Sequence, residues 1–299
     1  FTIPADGSSI TEVASLEHDT IYNNYNRLLK FYEDTYLLAY LGTGSGGHHL
    51  KTFTIPADGT SITEVDSTQI NSYSTWISDL NKIDNNTVLY TGSGWATYSI
   101  SSDGSIIQKA ASGSNPLNNG YRSSVVHVEG DIYAVAMRDK IVTLNITADG
   151  SAVTQVTEFD YEEKNISTSP KFLKLNSQHY VVSYQVTTYD YHLKLIEISA
   201  DGQTITSAGN LTHETNQSSY GDIALVKVDA NTFALATERA SNYVAIKTFT
   251  ANFIDDRAPT MSVIGLSRDN STVDIRFSEE VYNTSGASGG LEASDFSFS

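Results

Sequence analysis

FTIPADGTSITEV, Phe53–Val65, restates FTIPADGSSITEV, Phe1–Val13, almost residue for residue. Weaker echoes follow: YSISSDGSIIQKA (Tyr98–Ala110), LNITADGSAVTQV (Leu144–Val156), IEISADGQTITSA (Ile196–Ala208) and a degenerate TFTANFIDD (Thr248–Asp256). In each clear copy two alternating apolar runs flank an Asp-Gly pair, a hairpin signature. Asp tolerates the turn geometry and Gly supplies the positive φ that other residues resist. The spacing of acids that a calcium loop needs is missing, so the Asp-Gly pairs read as turns. Ile3, Ile55, Ile100, Ile146 and Ile198 stand 52, 45, 46 and 52 residues apart. An all-β period of about fifty residues belongs to propeller blades of about four strands each.

Working outward from these turns, the first full repeat predicts strands over Arg27–Tyr32, Tyr36–Leu41, Leu50–Ile55 and Ser61–Val65 (A to D). The later repeats follow the same plan, but the fifth has no convincing D strand. Asp255, Asp256, Arg257 and Pro259 interrupt where it would form. The N-terminal residues Ser8–Val13 are the natural substitute, which would close a ring and remove two exposed edges. The expectation is an all-β β-propeller of five four-stranded blades over residues 1–256, closed by the N-terminal strand. The alternative is six blades, with Ser262–Arg268 and Val273–Ser278 as A and B of the sixth. A partial β tail, 257–299, completes the chain.

Composition bounds what such a chain can do. At 299 residues, 39% hydrophobic, it can bury a core of several layers. No apolar run approaches the roughly twenty residues of a membrane span. Cys is absent, so no disulfide or thiolate metal site is available. A formal charge of −17, with 18 scattered Lys and Arg, argues against nucleic acid. The sequence starts within a repeat and without Met, which suggests an excerpt of a longer polypeptide, with any signal peptide outside it.

From Arg257 the character changes. Ala258-Pro259-Thr260, Asp269-Asn270-Ser271-Thr272-Val273, Phe277-Ser278-Glu279-Glu280-Val281-Tyr282 and Leu291-Glu292-Ala293-Ser294-Asp295-Phe296 together resemble the opening half of an Ig-like repeat. Such repeats occur in very large secreted or surface-attached proteins of marine and gliding bacteria. The resemblance implies an extracellular or cell-surface location. It covers about the last forty residues and stops after some three strands, where a sandwich needs about seven.

In a propeller the D-to-A and B-to-C loops share one face and the Asp-Gly turns the other. Tyr25, Tyr73, Tyr121 and Tyr220 precede strand A at matching places, with Arg27, Trp76 and Arg122 close behind. A ring of Tyr with neighbouring amides suits a carbohydrate, although each Tyr could equally wedge between blades. His48 and His192 lie in B-to-C loops; adjacent His48 and His49 rarely share one ion, so no metal is assigned. No cofactor is expected; calcium would be tolerated, but no motif calls for it. Asp19, Asp79, Asp190 and Asp222 are the acids within reach of a site, yet no catalytic motif contains them. The reading is therefore a non-catalytic extracellular binding or adhesion module taking a glycan or protein. Its alternatives are a glycoside hydrolase or lyase with carboxylates at the channel mouth, and a structural spacer or assembly module.

Overall fold

The computed structural model describes residues 2, 6, 8–19, 23–42, 47–71, 79–92, 94–113, 123–161, 169–215, 223–229, 231–239, 243–251, 261–266, 273–277 and 281. Every regular element among them is a β-strand. The first sheet holds β1 (Asn23–Tyr32), β2 (Thr35–Gly42), β3 (Gly47–Thr54) and β4 (Thr63–Asn71), and the second β5 (Asp79–Lys82), β6 (Thr87–Thr91), β7 (Trp95–Ile100) and β8 (Ile106–Gly113). The third holds β9 (Ser124–Glu129), β10 (Ile132–Ala136), β11 (Lys140–Ile146) and β12 (Val153–Asp160). The fourth holds β13 (Lys171–Lys174), β14 (His179–Gln185), β15 (Tyr191–Ile198) and β16 (Ile205–Glu214). The fifth has three strands among the described residues: β17 (Ile223–Lys227), β18 (Thr232–Arg239) and β19 (Tyr243–Thr250). In the tail, β20 (Met261–Leu266) pairs antiparallel with β21 (Val273–Phe277).

Two compact units make up the chain: residues 1–125 with 145–155, and residues 126–144 with 156–299. Every residue of β6, β10 and β14 is buried. In the first unit, Val88, Tyr90, Tyr98 and Ile100 pack on Leu37, Ala39 and Leu50. In the second, Ala134 and Ile141 meet Tyr180, Val182 and Tyr184, while Val181 and Leu193 on the other face meet Phe233 and Leu235.

The Asp-Gly turns are turns, as their chemistry predicts, and they do a second job. Each Asp carboxylate accepts the backbone N–H two residues on: Ser8 to Asp6, Thr60 to Asp58, Ser105 to Asp103, Ser151 to Asp149 and Gln203 to Asp201, at 2.9–3.1 Å. Gly59, Gly104, Gly150 and Gly202 all sit at positive φ. Beyond this, three turns seat on the sheet before their own. Thr97 Oγ1 donates to Gly150 O at 2.7 Å, and Thr143 Oγ1 to Gly202 O at 2.7 Å. A Cβ added at Gly150 would lie 2.7 Å from Thr87 Cγ2, and one at Gly202 would lie 2.7 Å from Ile132 Cγ2. Gly104 rests against Thr35 and Val65.

Lysines make a second set of ties. Lys174 Nζ donates to Val128 O at 2.6 Å, Lys194 Nζ to Tyr161 O, and Lys247 Nζ to His213 O at 3.0 Å. Lys51 Nζ makes the same bond to His18 O at 2.6 Å. His18 sets its ring edge-on to Tyr40 and Phe53, as His213 sets its ring against Phe249.

Thr2 and Thr11 exchange two backbone hydrogen bonds, the pairing that Thr54 and Thr63 make between β3 and β4. His18 thus lies against the first sheet as His213 lies against the fifth. The sequence assigned Ser8–Val13 to the fifth sheet as its fourth strand. Among the described residues that sheet ends at β19, and residues 8–13 carry the Thr11–Thr2 bridge.

Candidate functional site

The first strands of the sheets bring chemistry to one register. Four residues into the second strand of the first, second, fourth and fifth sheets, the partner on the first strand is Arg27 (opposite Ala39), Asp79 (opposite Thr91), Lys171 (opposite Ser183) and Ala224 (opposite Ala236). The sequence singled out Arg27 and Asp79 separately. Their equivalence emerges only when strands are counted from the hairpin ends.

In the first unit these two residues interact. Asp79 Oδ1 accepts the Leu80 N–H at 3.0 Å, and Oδ2 accepts the Val125 N–H at 3.2 Å. Burial pushes the Asp79 carboxyl up from the usual carboxylate range. The Val125 and Leu80 amides, the Asn81 side chain and the Arg27 guanidinium oppose that shift without cancelling it. The result is a carboxylate with heightened basicity and a guanidinium within electrostatic reach, on adjacent first strands. Arg27 is itself oriented by a bond from Nη1 to Asn26 O at 2.9 Å. A perturbed carboxylate beside a fixed cation can act as general base and anion stabiliser.

The histidines behave differently from loop ligands. His48 is fully buried and its Nδ1 is hydrogen-bonded to the Tyr90 hydroxyl; burial pushes the Tyr90 phenol up. The sequence places His48 in a B-to-C loop; it extends β3 instead, with its side chain packed on the second sheet. His192 is half-buried, stacked on Tyr184 at 5.4 Å with Nδ1 3.2 Å from Thr212 Oγ1. His49 stacks on Tyr40 in the same way at 5.3 Å, and its pKa is lowered, chiefly by burial. Tyr40 donates to Asp19 Oδ2 at 2.8 Å, and Thr188 donates to Asp190 Oδ2 at 2.9 Å, so both acids are engaged by hydroxyls.

Tyr73, Trp76, Tyr121, Arg122, Tyr220 and Asp222 lie outside the described residues, and Tyr25 contributes its backbone to β1. Among the described residues no group of three or more His, Cys, Asp or Glu could hold a metal ion.

No family model and no curated protein matches the sequence. The fold has known counterparts. A periplasmic gluconolactonase of Pseudomonas aeruginosa, PpgL, superposes with a TM-score of 0.59 over 92% of this chain and 92% of that one, at 11% identity. A putative 6-phosphogluconolactonase of Bacteroides uniformis gives 0.51 over 81% and 77%, also at 11% identity. With its repeated antiparallel four-stranded sheets, the chain has the β-propeller fold of these structures. The likeness stands against the expectation of a non-catalytic adhesion module: the two chains that share this fold, over 92% and 77% of their lengths, are described as a gluconolactonase and a putative 6-phosphogluconolactonase.

Proposed function

We propose that this protein is a lactone hydrolase acting on a sugar-derived lactone, with Asp79 and Arg27 as its working pair. The observation that carries the reading is the raised pKa of Asp79 beside Arg27 on the first strands of a lactonase-like propeller. Asp79 draws a proton from water as the water oxygen attacks the lactone carbonyl carbon. Arg27 stabilises the oxyanion that forms. The ring C–O bond then breaks, and the leaving alkoxide takes the proton back from Asp79, yielding the open hydroxy acid. No metal is required for this chemistry, because the guanidinium supplies the positive charge.

Tyr25, Tyr73, Trp76, Tyr121 and Arg122 are the residues we assign to lining the sugar. Aromatic faces suit its C–H surfaces. The neutral to weakly anionic character of a sugar lactone is compatible with a chain of formal charge −17, which a nucleic acid is not. A location outside the cytoplasm accords with the periplasmic neighbour. We place the end of the propeller at residue 256 and read 257–299 as the Ig-like segment.

The test is hydrolysis of gluconolactone followed by acid release in a pH-stat. Asp79→Asn should lower kcat about 10²–10⁴-fold. In the parent enzyme, activity should rise with pH as the Asp79 carboxyl ionises, with a midpoint above the ordinary carboxylate value. Absence of turnover on a panel of sugar lactones, or full activity in a folded Asp79→Asn variant, would sink the reading.

A further inference from the structure

Where one sheet receives the turn of the next, the fourth sheet departs from the third. In the third, Ile132 and Thr143 make the socket for Gly202: Thr143 binds its carbonyl, and an added Cβ would lie 2.7 Å from Ile132 Cγ2. Ile132 opens its strand, and Thr143 stands three residues before the closing Ile146. The matching residues of the fourth sheet are His179, which opens β14, and Leu195, three residues before the closing Ile198. The hydroxyl that binds a turn carbonyl is thus replaced by an isobutyl group. The fifth repeat, TFTANFIDD (Thr248–Asp256), has no Asp-Gly pair to offer such a socket.

A cavity of ≈ 180 Å³ opens there between the fourth and fifth sheets, both in the second unit. Val181 and Leu195 line it from the fourth sheet, Phe233 and Phe249 from the fifth. The two Phe rings stack with centroids 5.5 Å apart. Gly209 in β16 keeps the cavity open, since a Cβ there would meet nothing within 4 Å but Leu195 Cδ1, at 3.9 Å. Apolar cavities of about 150 Å³ take up a benzene ring. A polar hollow of ≈ 290 Å³ adjoins the turn end of the same sheet. Val181 pairs with Leu195, and the next pair on that face is His179 with Glu197. Side chains two residues apart share a face of a strand at a spacing of about 7 Å. Glu197 and its partner Thr206 therefore bring the polar hollow onto the face that carries the cavity. The carboxylate is held there: Oε1 lies 3.4 Å from Nε2 of the buried His179, and Oε2 accepts from Thr206 Oγ1 at 3.4 Å. The Glu197 side chain is still 49% exposed.

We propose that this face of the fourth sheet binds a small organic cation, with an aromatic ring in the cavity and an ammonium group against Glu197. The ring matches the cavity in size and meets Phe233 and Phe249 across offset or edge-on contacts. An arm of two carbons spans the single step along the strand from Leu195 to Glu197. The ammonium then donates to a carboxylate that is already positioned, and a formal charge of −17 draws cations towards the chain. The site shares no residue with Arg27 and Asp79, so it stands apart from the lactonase reading.

The test is calorimetric titration of the full chain with phenethylammonium, beside phenethyl alcohol, which has the same shape without the charge. The expected result is saturable one-to-one binding, with the ammonium favoured about tenfold. Glu197→Gln should remove that preference and leave the affinity for the alcohol as it is. Gly209→Leu fills the cavity and should abolish binding of both probes, while its circular dichroism matches the parent's. No saturable binding of either probe to the parent overturns the proposal, and so does equal affinity for the two. Undiminished binding to a folded Gly209→Leu chain overturns it as well, by placing the probe elsewhere. Should Gly209→Leu not fold, Glu197→Gln at its half-exposed position decides alone: an unchanged preference for the ammonium rules the site out.

Discussion

The second and fifth sheets present the same two threonines on the same strands, and their fates differ. In the second, Thr87 and Thr97 are dry, and Thr97 holds the Gly150 carbonyl; in the fifth, Thr248 faces water beside Ile246. Leu89 fills the centre of the covered face, where the open face has Ala234. Identical local chemistry is worth little until a neighbour desolvates it, because a hydrogen bond in water only exchanges one partner for another.

The strongest way to break this comparison is to substitute the glycines. Gly150→Ala places a Cβ 2.7 Å from Thr87 at a left-handed φ, so backbone strain and overpacking together should cost about 2–5 kcal/mol in a denaturant melt. Gly59→Ala carries only the strain, about 1–2 kcal/mol. Equal losses would mean that seating of the turn adds nothing. Next come the hydroxyls: Thr97→Val leaves the Gly150 carbonyl unsatisfied in a dry socket and should cost about 1–3 kcal/mol. Thr248→Val, at an exposed position, should fall within about 0.5 kcal/mol.

The smallest effect is acid. The hydrogen bonds from Ser101 and Ser105 hold Asp103 down to about 2, and those from Ser151 and Thr147 hold Asp149 down to about 2, against 3.8 for the free group. A folded pKa below the unfolded one contributes stability that is complete above the unfolded value and lost as pH falls towards the folded one. Stability should therefore decline between pH 3.8 and about 2, and Asp149→Asn should flatten that decline in an acid titration followed by circular dichroism.

Much of the fold was legible, for identifiable reasons. Period-two alternation and Asp-Gly spacing report local backbone, and they placed β2 and β3 within a few residues. The outer strands were read too short: Ser61–Val65 becomes Thr63–Asn71 because Asp66, Ser67 and Gln69 form a polar edge that apolar alternation cannot see. The seating of Gly150 on Thr97 was invisible, since the partner lies 53 residues away in the chain. His48 was misjudged for the same reason: its burial depends on Tyr90, 42 residues on. For the site, the sequence supplied Arg27 and Asp79 as residues but not as a pair. Their adjacency depends on register across two sheets, and the depth of Asp79 on how β9 covers it.

The lysine ties carry a consequence for how the surface is seen from outside. Lys51, Lys174, Lys194 and Lys247 each point the ammonium at a backbone carbonyl of an adjoining segment. Four of only 18 cationic side chains are thus turned inward, while the Asp of every Asp-Gly turn faces solvent. To an approaching molecule the protein is more anionic than its charge tally implies. Amine-directed reagents will find few footholds, anion exchangers will hold it tightly, and anionic cell surfaces will repel it unless salt or divalent ions screen the encounter.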